Sequence, residues 1–210
     1  MRVTEIFFSI QGEGTRAGRP CVFVRFTGCD LRCSYCDTAY AFSGGREMPR
    51  EEILAEVARH PCRLVLLTGG EPLLQKELPT LAGELLARGY EVTVETHGQR
   101  PLDALPPEVV NIVDVKTPAS GEATLELGYL DRLRGHDEVK FVVASEADWR
   151  YSLEVIRAHR LEGRVALLVS PVHGAVDARE VARWILASGV DARLNLQLHK
   201  LVWGAEARGV

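Results

Sequence analysis

Three cysteines lie close together in the sequence and could ligate a metal centre. Cys29, Cys33 and Cys36 have the spacing C-x3-C-x2-C, and no fourth cysteine follows nearby. Cubane iron–sulfur clusters usually take four thiolates. Three thiolates on one loop would therefore leave the fourth iron open to a substrate or cofactor, so the spacing predicts redox chemistry at a cluster.

A structural zinc site is the main alternative for clustered cysteines. Zinc sites normally close with four ligands. The other two cysteines, Cys21 and Cys62, stand alone beside apolar runs and are typical of buried small hydrophobic residues. The six histidines show no paired spacing that would complete a zinc site. The spacing favours a cluster and leaves zinc open.

Length and composition predict one globular domain over residues 1–210. The chain is 46% hydrophobic and carries a net charge of −4, which gives no basis for general nucleic-acid binding. No apolar run approaches the ~18 residues of a membrane-spanning helix, and the N-terminus lacks the apolar region of a signal peptide. We therefore expect a cytoplasmic protein with neither a nucleic-acid nor a membrane partner.

Short apolar runs alternate with helical patterns along the chain. The strand candidates are 20–27, 63–68, 91–95, 110–115, 138–143 and 165–169, and the helix candidates are 49–59, 75–88, 146–160 and 177–188. Almost continuous apolar runs are typical of parallel strands that are buried on both faces. The order, β-α repeated about six times, predicts an α/β fold with an open parallel sheet or a partial barrel.

Polar and glycine-rich residues follow five of the strand candidates. They occupy 27–29, 68–72, 95–98, 114–117 and 170–173. In parallel α/β folds the chemistry lies at the carboxyl ends of the strands. We therefore expect these five segments to converge on one rim.

The segment Thr68-Gly69-Gly70-Glu71-Pro72, one strand after the cysteines, makes the chain resemble the radical S-adenosylmethionine (SAM) enzymes. The resemblance implies a partial (β/α)6 barrel over most of the chain. It also implies a [4Fe-4S] cluster on Cys29, Cys33 and Cys36, with SAM chelating the open iron and the Gly-Gly-Glu-Pro segment against the methionine part of SAM.

The ends of the chain narrow the resemblance to the radical SAM enzymes of 7-deazapurine biosynthesis. The similar parts are Ser-Ile-Gln-Gly-Glu-Gly at 9–14, Cys-Asp-Thr at 36–38, and a tail that ends Arg-Gly-Val. This resemblance implies conversion of 6-carboxy-5,6,7,8-tetrahydropterin to 7-carboxy-7-deazaguanine. A radical made from SAM takes a hydrogen from the pterin, the ring contracts, SAM is regenerated and ammonia is lost.

The same resemblance implies the substrate contacts. They fall in an N-terminal segment, 1–19, and a C-terminal tail, 198–210, which flank the cluster loop 28–38. The expected residues are Gln11, Gly12, Glu13, Arg25, Thr68 and Val210. Amide and carboxylate groups suit the donor–acceptor edge of a pterin, and the planar fork of Arg25 suits a substrate carboxylate.

The resemblance also implies the cofactor contacts. The residues expected to contact SAM are Tyr35, Cys36, Asp37, Gly70, Glu71, Glu95, Asp114, Val115, Lys116, Ser170, Pro171, Val172 and His173. The hydroxyl of Thr38 is expected to ligate Mg²⁺, a hard cation that prefers oxygen ligands. No catalytic residue is expected beyond the cluster and SAM.

Family likeness further implies a homodimer and an external electron donor such as flavodoxin or ferredoxin. A close alternative is a radical SAM activating enzyme for a glycyl-radical partner, and an alternative of another class is a zinc-stabilised binding module. A plain electron-transfer ferredoxin is disfavoured, because it usually has four cysteines per cluster and no large barrel.

Overall fold

The structure is a computed structural model that describes residues 1–122 and 125–210. The strands are β1 Arg2–Ile10, β2 Pro20–Phe26, β3 Arg46–Glu47, β4 Leu64–Gly69, β5 Glu91–Thr96, β6 Val110–Val115, β7 Glu138–Val143, β8 Ala166–Pro171 and β9 Arg193–Leu194. The α-helices are α1 Arg50–Ala58, α2 Leu78–Ala87, α3 Glu146–Ala158, α4 Ala178–Ser188 and α5 Leu198–Val202.

The strands of these two ranges form one nine-stranded sheet in the order β3-β1-β2-β4-β5-β6-β7-β8-β9. Strands β2 and β4 to β9 run parallel to one another, whereas β1 pairs antiparallel with both β2 and β3. The predicted α/β fold with a mostly parallel sheet is confirmed, and each of the six predicted strands occurs within two residues of its expected bounds.

Three predicted helices also occur close to their expected bounds, and the fourth begins later. Asp177 caps α4 by accepting a hydrogen bond from the backbone N–H of Arg179, and the helix ends at Gly189 in the left-handed region. The helix predicted from residue 75 starts at Leu78, because Gln75 is extended and its side chain donates to the carbonyl of Thr27.

The regular β-α alternation is wrong in the middle of the chain. Between β5 and β6, and between β6 and β7, the described residues form short 3-10 helices at Leu102–Ala104, Pro118–Ser120 and Gly128–Arg132. Prolines and glycines interrupt these connections and disfavour longer helices. Strand β1 was also not predicted; it extends the sheet on the β2 side, where Phe7 stacks on Phe23 with ring centroids 4.7 Å apart.

The two faces of the sheet differ in what they bury. On β2, the alternate residues Val22, Val24 and Phe26 pack against α1 and α2 in one large apolar cluster. A second cluster packs β7 and β8 against α3 and α4. The opposite face holds a smaller apolar cluster that contains Phe23, Leu66, Ile112 and Leu168.

This inner face becomes polar toward the carboxyl ends of the strands. Farther along each strand, the same face carries a ring of polar side chains from consecutive strands. These are Arg25, Thr68, Glu95, Asp114, Lys140 and Ser170. The alternation of the strands therefore gives the inner face a mostly apolar lower layer, interrupted by Glu138, and a polar upper layer.

Among the described residues, no helix combines the length and the apolar character needed to cross a membrane.

Candidate active site

A cavity of about 470 Å³ opens at the carboxyl ends of the strands. All five polar segments predicted to converge contribute to its wall, so that prediction is confirmed. The lining residues from these segments are Cys29, Thr68, Gly69, Gly70, Glu95, Thr96, His97, Asp114, Lys116, Val172 and His173.

The three clustered cysteines line one side of this cavity as half-buried free thiols. Their sulfurs do not all lie within 4.8 Å of one another, whereas tetrahedral zinc with Zn–S bonds of about 2.3 Å brings its sulfurs to about 3.8 Å. Burial raises the pKa of Cys29 and Cys33, and Lys116 opposes that rise at Cys33. Three separated thiols beside one cavity fit a multi-iron cluster better than a single zinc ion.

One nearby group of side chains has the spacing of a mononuclear metal site. It joins Cys29, Asp30 and His97 and includes neither Cys33 nor Cys36. Asp30 accepts hydrogen bonds from Nε2 of His97 at 2.9 Å and from Arg100 at 2.5 Å. The backbone N–H of Gln99 donates to Nδ1 of His97, which leaves the proton on Nε2. These bonds fix the residue that follows Cys29.

Gly70 packs the Gly-Gly-Glu-Pro segment directly against the cysteine loop. A Cβ at residue 70 would lie 2.2 Å from the carbonyl oxygen of Gly28 and 2.7 Å from Cβ of Cys29. The backbone N–H of Glu71 donates to the same carbonyl at 2.8 Å. Only glycine allows this approach, so the segment and the loop form one wall.

The Glu71 side chain points away from the cavity and is fully buried. It accepts hydrogen bonds from the Thr96 hydroxyl at 2.8 Å and from the backbone N–H groups of Leu73 at 2.9 Å and His97 at 3.0 Å. Its carboxylate therefore joins the Gly-Gly-Glu-Pro segment to the end of β5. The expected contact of Glu71 with SAM stays a prediction, and its side chain does not line the cavity.

Three other expected SAM contacts also lie outside the cavity lining. Val115 belongs to the apolar cluster on the helix side of the sheet. Ser170 is buried and accepts a hydrogen bond from the side-chain amide of Asn195 at 2.8 Å. Pro171 is the third. Alternation along β6 explains Val115, because its side chain must face opposite to that of Asp114.

Asp114 and Lys116 form an ion pair at the cavity wall, with Lys116 Nζ 3.0 Å from Asp114 Oδ2. Burial opposes the charge of Lys116, but Asp114 raises the pKa of the ammonium above its usual range. The other oxygen, Asp114 Oδ1, is buried and has no hydrogen-bond partner among the described residues. It is a ready acceptor for a ligand N–H or O–H group.

Lys140 lies at the centre of the inner face and was not identified from the sequence. Its ammonium is 3.0 Å from Glu13 Oε2, 3.6 Å from Asp114 Oδ2, and in direct contact with Glu95. Burial opposes its charge, but the three carboxylates raise its pKa well above the usual value. The signal that could have revealed it is the pair Glu138 and Lys140, two residues apart in an apolar strand.

Glu138 anchors the loop between β1 and β2 to β7, the strand that also carries Lys140. Its buried carboxylate accepts hydrogen bonds from the backbone N–H and hydroxyl of Thr15 and from the guanidinium of Arg16. These contacts place Gln11, Gly12 and Glu13 in the cavity wall.

The loop also packs against the C-terminal helix. The backbone N–H of Leu198 donates to the carbonyl of Gly12 at 3.0 Å. A Cβ at residue 12 would lie 2.3 Å from Nδ1 of His199, so a larger residue there would displace the His199 ring. Gln197 donates to Glu13 at 2.9 Å. Burial opposes the charge of Glu13, but Lys140 and Gln197 hold the pKa of its carboxyl below the usual value.

Arg25 reaches the cavity from β2 with its orientation fixed by neighbours. Its Nε donates to Glu5 at 2.8 Å, and its guanidinium lies within 6 Å of the Phe7 and Tyr40 ring centroids. The Tyr40 hydroxyl donates to the same Glu5 carboxylate at 2.8 Å. Thr68, on the adjacent strand, is 3.4 Å from Glu95.

The end of the cluster loop contacts the C-terminal segment. Lys200 Nζ donates to Asp37 at 2.7 Å, and the Thr38 hydroxyl donates to the same carboxyl at 3.0 Å. Desolvation opposes the charge of Asp37, but Lys200 lowers its pKa below the usual range. Tyr35, Cys36, Asp37 and Thr38 all line the cavity, as do the tail residues 205–210, including Val210.

Replacing Glu71 with glutamine tests its bridging role. An amide offers one acceptor oxygen, so the N–H group of either Leu73 or His97 would face an NH₂ group. We expect Glu71→Gln to lower the free energy of unfolding by about 1–3 kcal/mol, measured by chemical denaturation. Glu77→Gln, at an exposed position, should change it by less than about 0.5 kcal/mol. Equal stabilities of the two variants would contradict the bridging role.

Known sequences of one enzyme family match this chain over most or all of its length. The Radical SAM superfamily profile matches residues 23–184. The 7-carboxy-7-deazaguanine synthase of Koribacter versatilis is 46% identical over the full length of both chains. The protein of the same name from Chlorobaculum tepidum is 41% identical, covering 100% of this chain and 97% of that one.

Solved structures of similar fold also match this chain. QueE from Escherichia coli has a TM-score of 0.78 at 25% identity, covering 93% of each chain. SuiB from Streptococcus suis, bound to its precursor peptide, has a TM-score of 0.57 at 14% identity, covering 81% of this chain and 46% of that one, which is a likeness of fold alone. The chain belongs to the 7-carboxy-7-deazaguanine synthase family of radical SAM enzymes.

Proposed function

We propose that this chain converts 6-carboxy-5,6,7,8-tetrahydropterin to 7-carboxy-7-deazaguanine with loss of ammonia. The main support is that the three cysteines and the residues expected to recognise the pterin line one cavity. Relatives that match over their full length carry the name of this activity.

Membership of the radical SAM family implies a [4Fe-4S] cluster and SAM. We propose that Cys29, Cys33 and Cys36 hold the cluster. When bound and reduced, the cluster would supply the electron that breaks the S–C5′ bond of SAM. The remaining task of the protein is binding, orientation and electrostatics. Gly70 and the cysteine loop both line the cavity in which we propose that the ligand binds.

SAM is proposed to lie between the cysteine loop and the ends of β5, β6 and β8. The proposed contacts that line the cavity are Tyr35, Cys36, Asp37, Gly70, Glu95, Asp114, Lys116, Val172 and His173. The unpaired Asp114 Oδ1 suits the amino group or a ribose hydroxyl. Glu71, Val115, Ser170 and Pro171 are proposed to act through the backbone or by positioning these neighbours.

The pterin is proposed to lie between Arg25 and the β1–β2 loop. Arg25 is oriented by Glu5, so its remaining guanidinium N–H groups are placed to bind the substrate carboxylate. Gln11, the Gly12 backbone and Glu13 face the donor–acceptor edge, where the ionised Glu13 accepts hydrogen bonds. Thr68 and the Val210 carboxylate complete this set. The tail residues 205–210 would limit access of water.

We propose that residues 1–210 form one domain, which works as a cytoplasmic homodimer with a flavodoxin or ferredoxin as electron donor. The support for a second copy is a group of exposed apolar side chains on the C-terminal segment: Leu201, Val202 and Trp203.

Anaerobic incubation of the reconstituted protein with SAM, dithionite and 6-carboxy-5,6,7,8-tetrahydropterin tests the function. Mass spectrometry should detect 7-carboxy-7-deazaguanine and ammonia release. The variant Cys33→Ala should form neither. SAM cleavage without the deazaguanine product would reject the substrate and favour another radical SAM reaction.

Thr38 is proposed to ligate Mg²⁺ through its hydroxyl. We expect Thr38→Ala to raise the Mg²⁺ concentration needed for half-maximal activity by about tenfold, because an oxygen ligand is lost. Thr38→Ser keeps the hydroxyl and should retain the wild-type Mg²⁺ dependence. Equal Mg²⁺ titrations for the alanine variant and the wild type would count against this ligand.

The terminal carboxylate of Val210 is proposed to bind the pterin. A short C-terminal extension converts it to an amide and should raise KM for the pterin about tenfold or more, since a charged acceptor is lost. Iron content should not change. Val210→Leu keeps the carboxylate and serves as the control. Unchanged kinetics in the extended protein would show that the tail has no such role.

A further inference from the structure

The Lys140 ammonium contacts carboxylates from three separate elements. Glu13 comes from the β1–β2 loop, Glu95 from β5 and Asp114 from β6. The lysine side chain is only 6% exposed, so water does little to screen these contacts. The ammonium donates hydrogen bonds to Glu13 and Glu95, and Asp114 adds an ion-pair contact at 3.6 Å.

These carboxylates belong to two different parts of the proposed site. Glu13 faces the pterin, whereas Glu95 and Asp114 face SAM. Asp114 has a second cation, Lys116, and Glu13 has further hydrogen bonds from Gln197 and Asn195. Lys140 is therefore the charge that links Glu13 to the carboxylates on the SAM side. The β1–β2 loop is also held in place by the other contacts of Glu13.

We propose that Lys140 is a positioning residue that couples the substrate side of the cavity to the SAM side by sharing one positive charge among Glu13, Glu95 and Asp114. This inference rests on the proposed function, which assigns the two sides. Lys140 need not touch either ligand.

The direction of the coupling follows from the charges. One ammonium among three carboxylates leaves a formal charge of −2, which Lys116 beside Asp114 reduces to −1. This net negative charge attracts the ammonium and sulfonium groups of SAM. If Glu13 loses its charge, the attraction of Lys140 is directed to Glu95 and Asp114 alone. These carboxylates then become more fully neutralised and bind a cationic ligand less well. Because coupling between sites is reciprocal, SAM must also affect the recognition of the pterin through Glu13.

The test is the equilibrium affinity for SAM of the cluster-loaded protein without pterin, with iron content matched between variants. Glu13→Gln leaves Lys140 paired with Glu95 and Asp114, so it creates no unpaired buried charge. We expect its Kd for SAM to rise at least about threefold, as is usual for residues of one charge network. In the Lys140→Met background, Glu13→Gln should change this Kd by less than about twofold.

Glu5→Gln is the matched control. It removes a carboxylate of the substrate side that contacts Arg25 and Tyr40 rather than Lys140, and should leave the Kd for SAM within about twofold. Lys76→Met, at an exposed lysine, controls for loss of a positive charge. A Glu13→Gln protein with wild-type affinity for SAM would overturn the coupling.

Two other results would also overturn it. Equal losses of SAM affinity in Glu13→Gln and Glu5→Gln would show a general charge effect, and this comparison decides the matter even if Lys140→Met does not fold. An undiminished effect of Glu13→Gln in the Lys140→Met background would show that the effect bypasses the lysine. Because pterin is absent, failure of the proposed substrate would appear separately, as lack of turnover by the wild type.

Discussion

The site depends on one constraint, which is that each charge buried on the inner face of the sheet needs a partner of opposite charge. Strand β7 places Glu138 and Lys140 on its inner face, and neither side chain is open to solvent. An unpaired charge at such depth would be very costly. The β1–β2 loop supplies Arg16 to one and Glu13 to the other. The loop that lines the cavity is thus held largely by the charges that it neutralises.

The same principle orients other groups of the cavity before any ligand arrives. Arg25 is held by Glu5, Lys116 by Asp114, and Asp37 by Lys200. A site whose polar groups are already oriented loses little conformational entropy on binding. Glu71 extends the pattern to groups outside the cavity lining, since its carboxylate orders the backbone that follows two neighbouring strands.

Local sequence patterns were sufficient for the parallel strands and for the rim on which their following residues converge, because both follow from alternation and chain direction. They were insufficient wherever partners are distant in sequence. Lys140 resembled an ordinary strand residue, because Glu13 lies 127 positions away. His97 and Asp30, which share a hydrogen bond, lie 67 positions apart. The motif containing Glu71 was recognised, but only the fold shows that its side chain turns inward toward Thr96.

Within residues 1–122 and 125–210, no strand pairing joins the two edges of the sheet. On the open side, residues 11–14 meet residues 195–200 through scattered contacts. The Leu198 N–H donates to the Gly12 carbonyl, the Gly14 N–H donates to the Asn195 side chain, and the Gln197 side chain donates to Glu13. Each is a single hydrogen bond, unlike the continuous ladders of β4 to β8. These contacts are separate from the strand ladders, so they can rearrange while the strands stay intact. The side wall of the cavity at Gly12, Glu13 and Gln197 therefore depends on isolated contacts rather than on sheet pairing.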